Sequence, residues 1–135
     1  MRRLAAICVG LALAACGAPS APAGDASAEP IARAFYDEVA AGTDVSDDPH
    51  LAHELKNPTT TNELALYRAM IPPEPPTRVE TRDLTAKTDE TGVTTRIVHA
   101  YVYADRTLVA QTVLFRSPAG REPVIVGFNL SQEGG

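Results

Sequence analysis

Three histidines and their neighbours hold most of the chemistry that this sequence can offer. The stretch Asp47-Asp48-Pro49-His50-Leu51-Ala52-His53-Glu54 sets two imidazoles three residues apart with carboxylates on either side. Zinc or copper would accept such a donor set. The spacing is His-x-x-His, however, not the i, i+4 pair by which a helix presents two imidazoles to zinc. A solvated polar loop is the preferred reading of these residues, with metal capture at His50 and His53 as the alternative. His99 alternates with Tyr101 in an apolar run, so the two share one strand face. Tyr36 or Tyr67 could join them there in acid–base work. That chemistry needs a carboxylate within hydrogen-bond reach of His99, and none stands beside it in the strand. No Gly-rich phosphate loop and no Gly-x-Ser-x-Gly elbow occurs. No catalytic, cofactor-binding or metal-binding residue is assigned.

The elements that must carry these residues are clearest between positions 93 and 130. Three runs, VTTRIVHAYVY, TLVAQTVLFR and REPVIVGFNL, are rich in β-branched and aromatic residues and bounded by turn formers, which predicts strands. Tyr103-Ala104-Asp105-Arg106 and Ser117-Pro118-Ala119-Gly120 are short enough for tight hairpins. Register then sets Tyr101 opposite Leu108, Ala100 opposite Val109 and Val113 opposite Val124. One face collects Val98, Ala100, Val102, Val109, Val113, Val124, Val126 and Phe128, and this face is expected to turn inward. The other collects Ile97, His99, Tyr101, Leu108, Ala110, Leu114 and Ile125. Residues 77–87 form an earlier strand, and the shift of alternation between Val79, Thr81 and Leu84, Ala86 predicts a bulge. Both faces are largely apolar, so helices are expected on one side and a second copy or a partner on the other.

Upstream, Ile31, Phe35 and Val39 recur at helical spacing, widened by Ala32 and Ala34. Ser27 is placed to cap this helix, with Glu29 and Pro30 in its first turn and Gly42 as a left-handed C-cap. Residues 43–58 read as irregular, with one helical turn suggested by Leu51 and Leu55. Thr60 and Glu63 make a capping box for a second helix in which Leu64, Tyr67 and Ile71 share a face. Pro72 and Pro73 end it, and IPPEPP forms a stiff connector to the first strand.

The amino-terminal end reads as an address. Arg2 and Arg3 precede a short apolar run, too short to span a bilayer, and then Leu13-Ala14-Ala15-Cys16. That string resembles the lipobox of bacterial lipoproteins. The resemblance implies cleavage before Cys16, acylation of its thiol and new amino group, and durable membrane attachment. Gly17 after the cysteine implies the outer membrane, facing the periplasm, in a double-membrane bacterium. Cys8 falls inside the removed signal, so the mature domain has neither free thiol nor disulfide. Positions 17–29 are mostly Gly, Ala, Pro and Ser and read as a flexible linker. The organisation is thus 1–15 signal peptide, 16–27 lipid-anchored linker, 28–131 one α+β domain, and 132–135 a disordered tail. Loss of Arg2 and Arg3 takes the formal charge from −5 to −7. An acidic chain without a basic cluster excludes nucleic acid as a partner class.

The order of helices, proline-marked connector and four-strand antiparallel meander resembles the cystatin-like α+β roll of the nuclear-transport-factor-2-like superfamily. The likeness lies in Tyr101-Val102-Tyr103, the Asp105 to Gln111 hairpin and Val124 to Leu130. It implies a curved sheet wrapped around a helix, a cone-shaped cavity lined by Phe35, Tyr67, Val98, Val102, Val109 and Phe128, and a possible homodimer through the sheet. The function it implies is a non-enzymatic, lipid-anchored envelope protein that binds a small apolar ligand or another envelope protein. A cavity enzyme of the isomerase or dehydratase type using His99 and Tyr101 is the alternative.

Overall fold

The computed structural model describes residues 26–134. The expected signal peptide, Cys16 and most of the expected linker lie outside the described residues. Within them the protein is α+β: helix α1 (Ala28–Ala41), two 3₁₀ turns (Val45–Asp47 and His53–Leu55), helix α2 (Pro58–Met70), and strands β1 (Arg78–Asp89), β2 (Gly92–Val102), β3 (Thr107–Arg116) and β4 (Val124–Gln132). The strands form one open antiparallel sheet in the order β1-β2-β3-β4.

Helix α1 buries Ala28, Ala32, Phe35, Tyr36 and Val39. The two alanines bring the helix axis close to the sheet, and the larger side chains fill the space beyond them. Ile31 is only half-buried and Ala34 is exposed, so the stripe lies one position round from the expected one. Ser27 occupies the N-cap position with helical backbone angles and makes no capping bond from its side chain. Gly42 closes the other end in the left-handed region at φ 71°. Helix α2 is capped by Asn57, whose Oδ1 accepts from the Thr60 N–H at 2.9 Å, with Pro58 at the first helical position. The expected box at Thr60 and Glu63 therefore sits inside the helix, one turn late, because Pro58 has no N–H for a cap to satisfy.

Two bulges curve the sheet. One falls between Thr81 and Asp83, where the sequence alternation shifts, and the other between Val113 and Leu114 against β4. Tyr101 pairs with Leu108 and Ala100 with Val109, as the short first turn requires. Val113 faces Gly127, and Val124 faces Phe115. The link between β3 and β4 is thus the longer stretch 117–123, with the Gly120 N–H to Ser117 O bond at its tip. The Val126 bulge also moves Phe128 onto the opposite face from Val124.

The inward face is the reverse of the one expected. Ile97, His99, Tyr101, Leu108, Ala110, Leu114 and Ile125 are buried beneath α1, whereas Val98, Val102 and Val109 stand half-buried on the outer face. The larger residues win because each transfers more apolar area from water, at about 25 cal/mol per Å². On the outer face Arg82 pairs with Glu133 and Glu80, and Arg78 Nε donates to Glu80 Oε1 at 2.6 Å. This network joins β1 to the residue after β4 across the sheet, and Ala100 is fully buried although no helix of the described residues lies over it. Glu133 also donates its N–H to Thr107 O at 2.9 Å. Gln132 is thus the last residue of β4, and Glu133, in the turn after it, is held to β3 by this bond.

Leu114→Ala is expected to cost about 2–5 kcal/mol by urea unfolding. Val102→Asp, on the outer face beside Arg78, is expected to retain a cooperative transition. Loss of that transition in Val102→Asp would show that Val102 faces the core.

Candidate functional site

The space beneath the sheet is filled by aromatic side chains. Tyr36 from α1 stacks on Tyr101 from β2 with ring centroids 3.5 Å apart and 9° between planes. Its hydroxyl meets that of Tyr103 at 2.7 Å. Phe128 packs edge-on against both Phe35 (5.2 Å) and Tyr67 (5.7 Å). Of the residues expected around a cone-shaped cavity, Phe35, Tyr67 and Phe128 are brought together, around a small hollow of about 160 Å³ that Leu51, Leu55 and Leu64 also line. Val98, Val102 and Val109 lie on the other side of the sheet, because alternation groups residues by face without saying which face is covered.

His99 is 1% exposed, and its Nε2 lies 3.2 Å from Glu29 Oε1. The same carboxylate oxygen accepts from the Thr81 hydroxyl. These bonds, Thr81 first and His99 second, hold the Glu29 carboxyl below the usual range. The carboxylate that acid–base chemistry would require is therefore present, 70 residues away in sequence, on the first turn of α1. Local strand context could not show it. With the ring enclosed, the arrangement ties the start of α1 to β1 and β2. Tyr101 lies beside it at 6.1 Å between ring centroids, and burial pushes its hydroxyl above the ordinary tyrosine range.

His50 and His53 are separated in role. The His50 backbone carbonyl accepts from Ile125 N–H at 2.6 Å, and Ala52 N–H donates to Ile125 O at 2.9 Å. Leu51 thereby forms a parallel bridge to β4, and the helical turn expected in this stretch is confined to the 3₁₀ turn His53–Leu55. The His50 ring lies 3.0 Å from Glu122 Oε2 and 3.5 Å from Asp48 Oδ1, while His53 is exposed on the second 3₁₀ turn. Among the described residues no group of three or more His, Cys, Asp or Glu side chains is arranged to hold a metal ion. The cluster continues inward to Glu38 on α1, whose Oε2 is buried. Burial, followed by the hydrogen bond and negative charge of Asp48, pushes the Glu38 carboxyl up to about 7, while His50 pulls it the other way. Two carboxyl groups sharing one proton behave in this manner.

An open, apolar-walled concavity lies elsewhere, between the C-terminal end of α1, the turn at 43–46 and the start of α2. It encloses about 410 Å³, with Val39, Val45, Leu64 and Ala65 in its wall and Asp44, Ser46, Thr61 and Arg68 at its rim. Its size falls in the range of small-molecule sites. Arg68 reaches from α2 to lie directly over Gly42, where an added Cβ would collide with the guanidinium. Gly42 thus serves both the left-handed backbone and the close approach of this side chain. Sequence reasoning identified Gly42 as a helix stop but missed the groove, since nothing local couples position 42 to position 68. Asp44 is kept ionised by the backbone and hydroxyl of Ser46, which hold its carboxyl below the usual range.

No family model, curated protein or solved structure matches this chain.

The sign of the Glu38 effect is fixed by linkage. Its folded-state pKa stands above the ordinary carboxylate value of 4.5, so its contribution to stability is full below pH 4.5 and is lost as pH rises towards 7. Melting temperature followed from pH 4.5 to 8 should show this decline on top of the other titrations. Glu38→Gln, which cannot ionise, should flatten the decline and melt higher than the wild type at pH 8. A wild-type slope retained in Glu38→Gln would assign the titration to another group.

Proposed function

We propose that this chain is a lipoprotein anchored at Cys16 in the cell envelope, and that its domain binds a small apolar molecule in the groove between α1 and α2. The observation that carries this reading is a contrast in filling. The space between helix and sheet is occupied by Phe35, Tyr36, Tyr101 and Phe128, whereas the groove beside α2 is open and apolar-walled. A binding module is preferred to an enzyme because His99, the best-placed acid–base group, is enclosed and engaged with Glu29. The element order keeps the nuclear-transport-factor-2-like roll as the proposed fold family, with the ligand displaced from the cone to its helical rim. No described helix is long and apolar enough to cross a membrane, and attachment is assigned to the acylated cysteine instead. In a double-membrane bacterium, Gly17 after that cysteine supports an outer-membrane, periplasm-facing location.

α2 is suited to forming one wall. It has no fully buried residue and touches the core through the half-buried Leu64, Tyr67, Met70 and Ile71. Most helical stability in proteins comes from packing, so a wall held by so few side chains can adjust to an occupant.

Two measurements test the proposal. The mature protein extracted in detergent should have the mass of a chain beginning at Cys16 with acyl groups attached, and Cys16→Ser should lose them. Phenylnaphthylamine, an apolar dye whose fluorescence rises on burial, should bind the folded domain, and Ala65→Trp, which places an indole in the groove, should weaken that binding at least tenfold. Equal dye binding by Ala65→Trp, with the fold intact by circular dichroism, would move the ligand out of this groove.

A further inference from the structure

We propose that the groove selects apolar molecules carrying a carboxylate, which Arg68 receives at the rim. This inference rests on the reading of the groove as the ligand site and adds the chemistry of the ligand's polar end.

The argument begins with the charges. Arg78, Arg82, Arg96 and Arg106 each pair with an acidic side chain. Arg68 has no carboxylate within ion-pairing distance among the described residues, and no further partner. Arg68 is exposed, and Arg33 and Arg121 likewise have no ion-pairing carboxylate among the described residues, but the placement of the Arg68 guanidinium over Gly42 calls for a physical cause. The end of α1 supplies one. Its last turn contains no basic residue of its own, and the uncompensated carbonyls of a helix C-terminus carry roughly half a negative charge. Arg68 lies over Gly42 at that terminus. A half charge holds the guanidinium in place without neutralising it, so most of the positive charge and the planar fork of donors remain available to a ligand. Guanidinium geometry matches a carboxylate in two parallel hydrogen bonds.

The rest of the wall fits the same class. Val39, Val45, Leu64 and Ala65 would take an aliphatic or aromatic body. Asp44, also at the rim and ionised, would repel a second negative charge. Monoanions are therefore favoured over dianions. The overall acidity of the domain keeps anions from binding elsewhere, which makes Arg68 the point of discrimination rather than a general attraction. The occupant is a free apolar monocarboxylate, and other anionic head groups are outcomes of the test.

Calorimetric titration of the whole domain with octanoate and with octanol decides the matter. The wild type should bind octanoate about tenfold more tightly, the worth of one charge-assisted hydrogen-bonded contact. Arg68→Gln should weaken octanoate binding far more than octanol binding and so bring the two affinities together, and Arg68→Lys should keep part of the preference. Amide shifts caused by octanoate should centre on positions 39–46 and 61–68. Octanol binding as tightly as octanoate would overturn the carboxylate proposal and leave the groove intact as an apolar site. Absence of binding by either probe, with the fold intact, would overturn both. A preference that survives in Arg68→Gln would show that another cation reads the carboxylate. Tighter binding of octyl phosphate than of octanoate would replace the monocarboxylate by a phosphate ester.

Discussion

The burial of Phe35, Tyr36 and Val39 against Ile97, Tyr101, Leu108, Leu114 and Ile125 is the contact on which the rest of the molecule depends. An antiparallel sheet can leave one face to water, but the other must be covered. Here a single helix supplies nearly all of the cover. Because α1 does so, α2 is free to pack lightly, the 43–56 segment can run along the open edge of β4, and the groove can form where α1 ends. The Tyr36–Tyr101 stack is close to face-to-face, with ring centroids 3.5 Å apart, so its contribution comes from burying two large rings rather than from the offset geometry that aromatic pairs prefer. It also occupies the volume in which a sheet-lined cavity would otherwise lie.

Polar groups locate the helix that apolar contact holds. Glu29 meets His99 and Thr81 at one end of α1, and Glu38 meets Asp48 near the other. The first ties the helix to β1 and β2, and the second raises the Glu38 carboxyl through burial and the neighbouring Asp48. The outer face of the sheet is handled differently. Exposed ion pairs are worth at most about 1 kcal/mol each, yet Arg78, Glu80, Arg82 and Glu133 together join the two ends of the meander and shield Ala100. The charged residues and bulge of β1 also blunt that edge strand against pairing with another chain. The valines around the network are half-buried by their neighbours within the sheet.

Much of this was legible from residue types. The four strands, both helices, the left-handed Gly42 and the bulge near Thr81 each have a local cause: alternation, helical spacing, a missing Cβ, or a shift in alternation. The pairing of Tyr101 with Leu108 follows from a turn too short to permit another register. Where a connection was longer than its turn signal, as between Arg116 and Val124, the inferred register failed. Asn57 was passed over as a cap because Thr60 and Glu63 fit a motif, although Pro58 marks the true start of the helix.

By itself, then, the sequence determined the secondary structure, the antiparallel order and which residues share a strand face, because these depend on backbone preference and on spacings of a few residues. Only the tertiary structure decided which face α1 covers, which carboxylate reaches His99, and that Arg68 lies over Gly42 beside an open groove. Those outcomes depend on side chains 26 to 70 positions apart meeting in three dimensions, where total buried area and electrostatic balance decide and local pattern carries no information.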